Sequence, residues 1–126
     1  MVFWIFSGLA VYLVNVYMAG ILLIGENGLR LSLGPRDTLA EPSVYHARIL
    51  KSAANYAENL PVFLTFGVLA IVVEGADMAQ AVLGAQIFVF ARIAYLAVYI
   101  SGVPLIRTLV FMVSMVGLGI MAASLL

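Results

Sequence analysis

The chain has 126 residues, of which 65% are hydrophobic and only 10% are charged, and its mean hydropathy is +1.17. Soluble domains are about half apolar and about a quarter charged, so this composition indicates an integral membrane protein. The formal net charge is zero, and no basic patch or tail suggests nucleic-acid binding. Cysteine is absent and His46 is the single histidine, which argues against disulfides, thiolate metal sites and a histidine metal cluster.

The length suits a single domain with about four membrane-spanning helices of roughly 20 residues each. Apolar runs predict these spans at about 2–25, 44–73, 78–100 and 104–126. We therefore expect an all-α membrane protein, folded as an antiparallel four-transmembrane-helix bundle. The first run lacks a preceding basic region and a small-residue cleavage site, so we expect a retained span rather than a signal peptide.

The first span and the connection after it contain few polar candidates. Asn15 is the one strongly polar residue in the middle of span one, and we expect it to form an interhelical hydrogen bond. The polar connection from Glu26 to Pro42 contains Arg30 and Arg36. We interpret Arg36 as a solvated loop residue, whereas Arg30, close to the end of span one, is a candidate to fold back over a site.

The second span begins with a file of polar residues. Arg48, Lys51, Asn55 and Glu58 recur at spacings of 3, 4 and 3, which places them on one helix face over about three turns. Each charge at bilayer depth costs on the order of 2.5–3.5 kcal/mol on insertion scales. This face must therefore contact a protein neighbour, a water-filled cavity or a polar ligand.

A second polar stripe lies on the third span, where Arg92, Tyr95 and Tyr99 are spaced by 3 and 4 residues. The fourth span begins with Arg107 in its first turns and later carries Gly117 and Gly119, which are small enough for close helix packing.

Residue counts from the helix ends place Arg92 and Glu58 at similar depths, each roughly 14 Å into the membrane. We therefore predict a structural ion pair between them, although Glu58 could also bind a ligand amine. The remaining polar residues, Lys51, Asn55, Tyr95, Tyr99 and Arg107, with Arg30 nearby, predict an electropositive cup lined with hydroxyl groups. Such a cup suits a small anionic ligand with carboxylates at its ends.

The cations also predict the orientation in the membrane. They lie near the first and third loops, whereas the second loop carries only Glu74 and Asp77. By the positive-inside rule, loops one and three are cytoplasmic and both termini lie on the opposite side. A compact chain without disulfides is compatible with a bacterial inner membrane.

The pattern Arg48-x2-Lys51-x3-Asn55-x2-Glu58-x2-Pro61, followed by Ala91-Arg92-x2-Tyr95-x3-Tyr99 and Arg107, resembles the MAPEG family. These are the membrane-associated proteins of eicosanoid and glutathione metabolism, which include leukotriene C4 synthase and the microsomal glutathione transferases. The resemblance covers nearly the whole chain. It implies a homotrimer that binds glutathione as co-substrate between neighbouring subunits, at the cytoplasmic side.

The resemblance also implies a role for each matching residue. Lys51 occupies the position of a glutathione-binding arginine, and Asn55 and Glu58 match residues that bind the tripeptide. Tyr95 and Tyr99 match tyrosines that line the site, and Arg107 matches the arginine proposed to stabilise the thiolate. Arg30 is a further candidate for glutathione binding.

Three positions depart from the pattern. Lys51 lacks the bidentate fork of arginine, and Asn59 replaces the tyrosine of leukotriene C4 synthase-like members. Phe111 lacks the hydroxyl that prostaglandin E synthase-like members carry one turn after the arginine, which argues against prostaglandin isomerisation.

Two functions remain open from the sequence. The first is a glutathione-dependent transferase or peroxidase that acts on an apolar electrophile arriving from the membrane lipid. The second, favoured by the changes at Lys51 and Asn59, is a catalytically silent accessory subunit of a larger membrane complex. A small multidrug exporter fits the size, but span one has no acidic residue before Glu26 to couple transport.

Overall fold

The computed structural model describes all 126 residues. It contains four α-helices: α1 (Val2–Leu33), α2 (Val44–Val72), α3 (Met78–Ser101) and α4 (Pro104–Ala123). Each helix is long and apolar enough to cross a membrane. The short connections after α2 and α3 reverse the chain direction, so consecutive helices pack antiparallel. The predicted all-α membrane bundle of four helices is confirmed.

The first helix is longer than the sequence predicted. α1 ends at Leu33 rather than near residue 25, and it is interrupted at Gly28, whose φ of 76° and ψ of 159° are not helical. Glycine accommodates this positive φ without a Cβ clash. The Ser32 hydroxyl contacts the carbonyl oxygens of Leu23 and Gly28, at 3.2 and 2.8 Å, and so holds the two segments together. Arg30 therefore lies on a helix and not in a flexible loop.

A polar contact fixes the start of α2 against the end of α1. The Ser43 hydroxyl caps α2 by accepting from the backbone N–H of His46 at 3.3 Å. The Glu26 carboxylate contacts Nδ1 of the buried His46 at 2.6 Å and accepts from the Ser43 N–H at 3.2 Å. The polar file that follows Ser43 is thereby set in place on α2.

Buried hydrogen bonds join α1 to α2 within the apolar region. Ser52 donates to Oδ1 of Asn15 at 2.9 Å, and the Tyr56 hydroxyl donates to the Gly8 carbonyl at 2.8 Å. The expected interhelical hydrogen bond of Asn15 is confirmed. Further along α2, the ring of Phe63 stacks on that of Phe88, with centroids 4.5 Å apart, and this contact joins α2 to α3.

The contact between α3 and α4 depends on two glycines. A Cβ added at Gly84 would lie 2.7 Å from the Gly117 carbonyl oxygen, and one at Gly117 would lie 2.8 Å from the Gly84 oxygen. Gly119, in contrast, has no atom within 4 Å of such a Cβ. Small residues at the crossing allow the two backbones to approach closely, which brings Arg107 on α4 against Tyr99 on α3.

Candidate functional site

A cationic cavity of about 210 Å³, which we call the cup, opens at the end of the bundle where α2 begins, α3 ends and α4 begins. Its polar wall comes from three different helices, because Lys51 lies on α2, Tyr99 on α3 and Arg107 on α4. The residues that line it are Arg48, Lys51, Val98, Tyr99, Gly102, Val103 and Arg107. With three cations and no carboxylate in its lining, the cup suits an anion.

Arg48 forms a fixed part of this wall. Its Nη1 donates to the Ile100 carbonyl at 2.8 Å, which satisfies one of the free carbonyls at the end of α3. The positive charge of Arg48 also interacts favourably with the negative, C-terminal end of the α3 dipole. Its guanidinium lies against Gly102, which ends α3 in the left-handed conformation with a φ of 78°. Arg48 therefore caps α3 rather than extending to the lipid headgroups.

Arg107 has no ion-pair partner within the chain and is oriented by an aromatic ring. Its guanidinium carbon lies 4.9 Å from the centre of the Tyr99 ring, a cation–π contact that orients the group. No carboxylate lies within ion-pair distance of it, since Glu26 and His46 form the single such contact in the chain. Its guanidinium N–H groups are therefore free to donate to an anionic ligand.

A second cavity of about 190 Å³, which we call the side pocket, shares Arg107 with the cup. Asn55 on α2 and Tyr95 on α3 line it together with Arg107, Thr108 and Phe111 on α4. Arg107 lines both cavities, which are therefore adjacent at this residue.

Arg92, which contacts the side-pocket residue Asn55, is almost completely buried, with an exposure of 1%. Its Nη1 donates to Oδ1 of Asn55 at 2.7 Å, whereas its Nε and Nη2 have no hydrogen-bond partner. Its guanidinium carbon lies 5.2 Å from the ring centres of Tyr56 and Phe88 and 5.5 Å from those of Tyr95 and Phe111. Aromatic faces therefore surround the buried cation in place of a carboxylate.

The predicted ion pair between Glu58 and Arg92 is not formed within the chain, because Arg92 instead binds Asn55, one turn earlier on α2. Glu58 is exposed and lines neither the cup nor the side pocket. Residue counting estimated the depth of the two side chains but not the rotation of α2 about its axis. That rotation turns Asn55, and not Glu58, toward α3.

The structure brings five of the predicted site residues together around the two cavities: Lys51, Asn55, Tyr95, Tyr99 and Arg107. Arg30 is exposed and lines neither cavity. The bend at Gly28 does not fold Arg30 back over the cup of its own chain.

Two lining residues were missed by the sequence analysis. Arg48 was assigned to the polar file of α2 but was given no role at the site. The available signal was Gly102 directly after α3, because a glycine there commonly marks a helix end whose free carbonyls a cation can bind. Thr108 lines the side pocket, although its hydroxyl also donates to the Pro104 carbonyl at 3.1 Å. The one sequence signal for Thr108 as a lining residue was its position directly after Arg107.

Comparison with known proteins identifies the family. The model of the MAPEG family matches residues 1–126, the whole chain, and the chain therefore belongs to this family. No curated protein and no solved structure matches it. Members of the family generally use glutathione as substrate or cofactor and are generally trimeric.

Proposed function

We propose that this MAPEG protein is a glutathione-dependent membrane transferase or peroxidase that acts on an apolar electrophile or a lipid peroxide. The observation that carries the proposal is the position of Arg107, which has no ion-pair partner and lines both the cationic cup and the side pocket, where Tyr95 and Phe111 are two of the five lining residues. Glutathione carries two carboxylates, and Arg48 and Lys51 offer charge-assisted hydrogen bonds to such groups.

In this proposal Arg107 stabilises the thiolate of the bound co-substrate. A free thiol has a pKa of about 8.5, and a neighbouring cation lowers it because the charged form is favoured. The contact with Tyr99 limits the movement of the guanidinium, so its charge stays beside the sulfur. An oriented charge of this kind needs little reorganisation when the reaction proceeds.

The thiolate then reacts in one of two ways. With an electrophilic carbon, the sulfur forms a C–S bond and the leaving group departs with the bonding electrons. With a peroxide, the sulfur attacks one oxygen, the O–O bond breaks, and the alkoxide takes a proton to leave as an alcohol. A second glutathione converts the resulting sulfenic acid to a disulfide and releases water.

The proposal extends to the assembly and its orientation. Arg30 lies outside the cup of its own chain, so its predicted role in binding glutathione requires a neighbouring subunit of a homotrimer. We place the cup on the cytoplasmic side of a bacterial inner membrane, since the cations surround loops one and three. Labelling of single cysteines at Asp37 and Glu74 with an impermeant reagent tests this orientation, because only the second should react from outside intact cells.

Kinetics of an Arg107→Ala variant test the reaction. We expect kcat for an aryl halide and for a lipid hydroperoxide to fall by about 10²–10³-fold, the usual effect of removing one group that stabilises a reacting anion. Arg36→Ala is the control, because it removes an exposed cation that lines neither cavity. Equal rates in the two variants would contradict the proposal.

A catalytically silent accessory subunit is the second candidate. It is favoured by the position of Glu58 outside both cavities and by the use of Asn55 to bind the buried Arg92. This candidate predicts that the wild-type protein turns over neither substrate. It also predicts that Arg107→Ala leaves the function of the larger complex unchanged, whereas Arg92→Ala disrupts assembly. Turnover assays of the wild type separate the two candidates, and size-exclusion chromatography of the two variants checks the predicted effects on assembly.

A further inference from the structure

We infer that Arg92 is a positioning residue that acts through Asn55 and determines which kind of ligand group the side pocket accepts. Arg92 fixes the orientation of the Asn55 amide so that its NH₂ group, and not its oxygen, is presented to the pocket. The ligand must then place a hydrogen-bond acceptor there, either a carbonyl or a carboxylate oxygen. Only the choice of glutathione as the ligand rests on the proposed function.

The orientation of the amide follows from hydrogen-bond chemistry. The arginine guanidinium is a donor only, so the Asn55 atom that lies 2.7 Å from Nη1 must be the amide oxygen. The amide nitrogen, on the opposite side of the planar group, makes no hydrogen bond within the chain. Since Asn55 lines the side pocket, this nitrogen is the Asn55 group left to bind a ligand.

The position of Arg92 is itself tightly restricted. The side chain is 1% exposed, and the rings of Tyr56, Phe88, Tyr95 and Phe111 surround its guanidinium. It cannot reach solvent or another acceptor without displacing these rings. Asn55 therefore has a fixed partner, and its side chain loses little further freedom when a ligand binds.

The unsatisfied nitrogens of Arg92 support this role. A buried charge is usually paired, and leaving Nε and Nη2 without partners costs free energy. If Arg92 served only to hold α2 against α3, a carboxylate partner, or apolar residues in place of the charge, would give a more stable contact. In this chain the one side-chain hydrogen bond of the buried cation goes to a residue that lines the pocket.

A double-mutant cycle on glutathione affinity tests the inference. Arg92→Met keeps much of the length of the side chain but frees the Asn55 amide to rotate, and we expect binding to weaken about tenfold, the value of one oriented hydrogen bond. In an Asn55→Ala background the same change should have no further effect. Arg92→Lys, which retains a donor, should restore part of the affinity. Equal losses in both backgrounds would show a structural role and overturn the inference.

A measurement without ligand separates this inference from the proposed function. Selective ¹⁵N labelling of asparagine gives side-chain NH₂ signals, and the Asn55 signal is identified by its loss in Asn55→Ala. We expect one sharp pair of proton signals in the wild type and an exchange-broadened or shifted pair in Arg92→Met. An unchanged pair would overturn the inference even if glutathione binds. If glutathione does not bind the wild type, the proposed function fails while the NMR result still decides the role of Arg92.

Discussion

Arg48 fills the space that a side chain at residue 102 would need. Its guanidinium atoms lie 2.5–2.7 Å from the position of a Cβ at Gly102, and they donate to the end of α3 at the same time. One residue without a side chain thus allows a cation from α2 to cap α3 and to form part of the cup.

A Gly102→Ala variant tests this arrangement against a matched control. Gly102 and Gly75 have φ values of 78° and 89°, and an alanine in this region costs roughly 1–2 kcal/mol. No atom lies within 4 Å of a Cβ at Gly75. We expect both variants to unfold at lower temperature, but only Gly102→Ala to displace Arg48 and weaken glutathione binding. Equal affinities in the two variants would contradict the role of Arg48 in the cup.

Individual residues also show where sequence reasoning reaches its limit. The spacing of Lys51 and Asn55 correctly placed both on one face of α2, because helical periodicity alone determines that. The partner of Arg92 could not be derived in the same way. It depends on how α2 is rotated against α3, which the packing of Tyr56, Phe63 and Phe88 sets through contacts distant in sequence.

At the scale of the helices, the contact between α3 and α4 holds Arg107 beside Tyr99. The two backbones approach at Gly84 and Gly117, whereas Gly119, two residues further along α4, faces open space. The sequence offered both glycines of α4 as packing candidates. Only the rotation of the helix distinguishes the one that packs from the one that does not.

Gly117→Ala and Gly119→Ala therefore form a matched pair on one helix. A Cβ at residue 117 would lie 2.8 Å from backbone atoms of Gly84 and Phe88, so α3 and α4 must separate. We expect this variant to lose about 1–3 kcal/mol of stability, as in other overpacked contacts. Gly119→Ala should be neutral or slightly stabilising, since alanine favours the helix by up to about 1 kcal/mol. Unfolding in a mixed detergent series measures both, and equal stabilities would contradict the packing described.

Helix boundaries were predicted less well than helix number. The apolar runs identified all four spans, because a run of about 20 consecutive apolar residues matches the length that a helix needs to cross a bilayer. They did not reveal that α1 continues to Leu33, because Gly28 and the charged residues around it are typical of a loop. The contact between Glu26 and His46 and the hydrogen bonds of Ser32 stabilise this extension, and both depend on the tertiary structure.

At the scale of the whole molecule, the bundle concentrates its free cationic groups at one end. The cup needs α2, α3 and α4 together, whereas α1 contributes no residue to its lining. Instead, α1 packs against α2 and accepts hydrogen bonds from it at Asn15 and Gly8. The family and the fold were evident from the sequence, but the separation of the site into a cup and a side pocket, both lined by Arg107, required the structure.

Calorimetric titration of the detergent-solubilised protein with glutathione tests whether the cup binds this tripeptide. We expect saturable binding that weakens about tenfold or more in Lys51→Ala, which removes one charge-assisted hydrogen bond, and remains unchanged in Arg36→Ala. This result would place the tripeptide in the cup. No binding by a folded, monodisperse wild-type protein, or equal affinity in the two variants, would contradict the claim that the cup is a glutathione site.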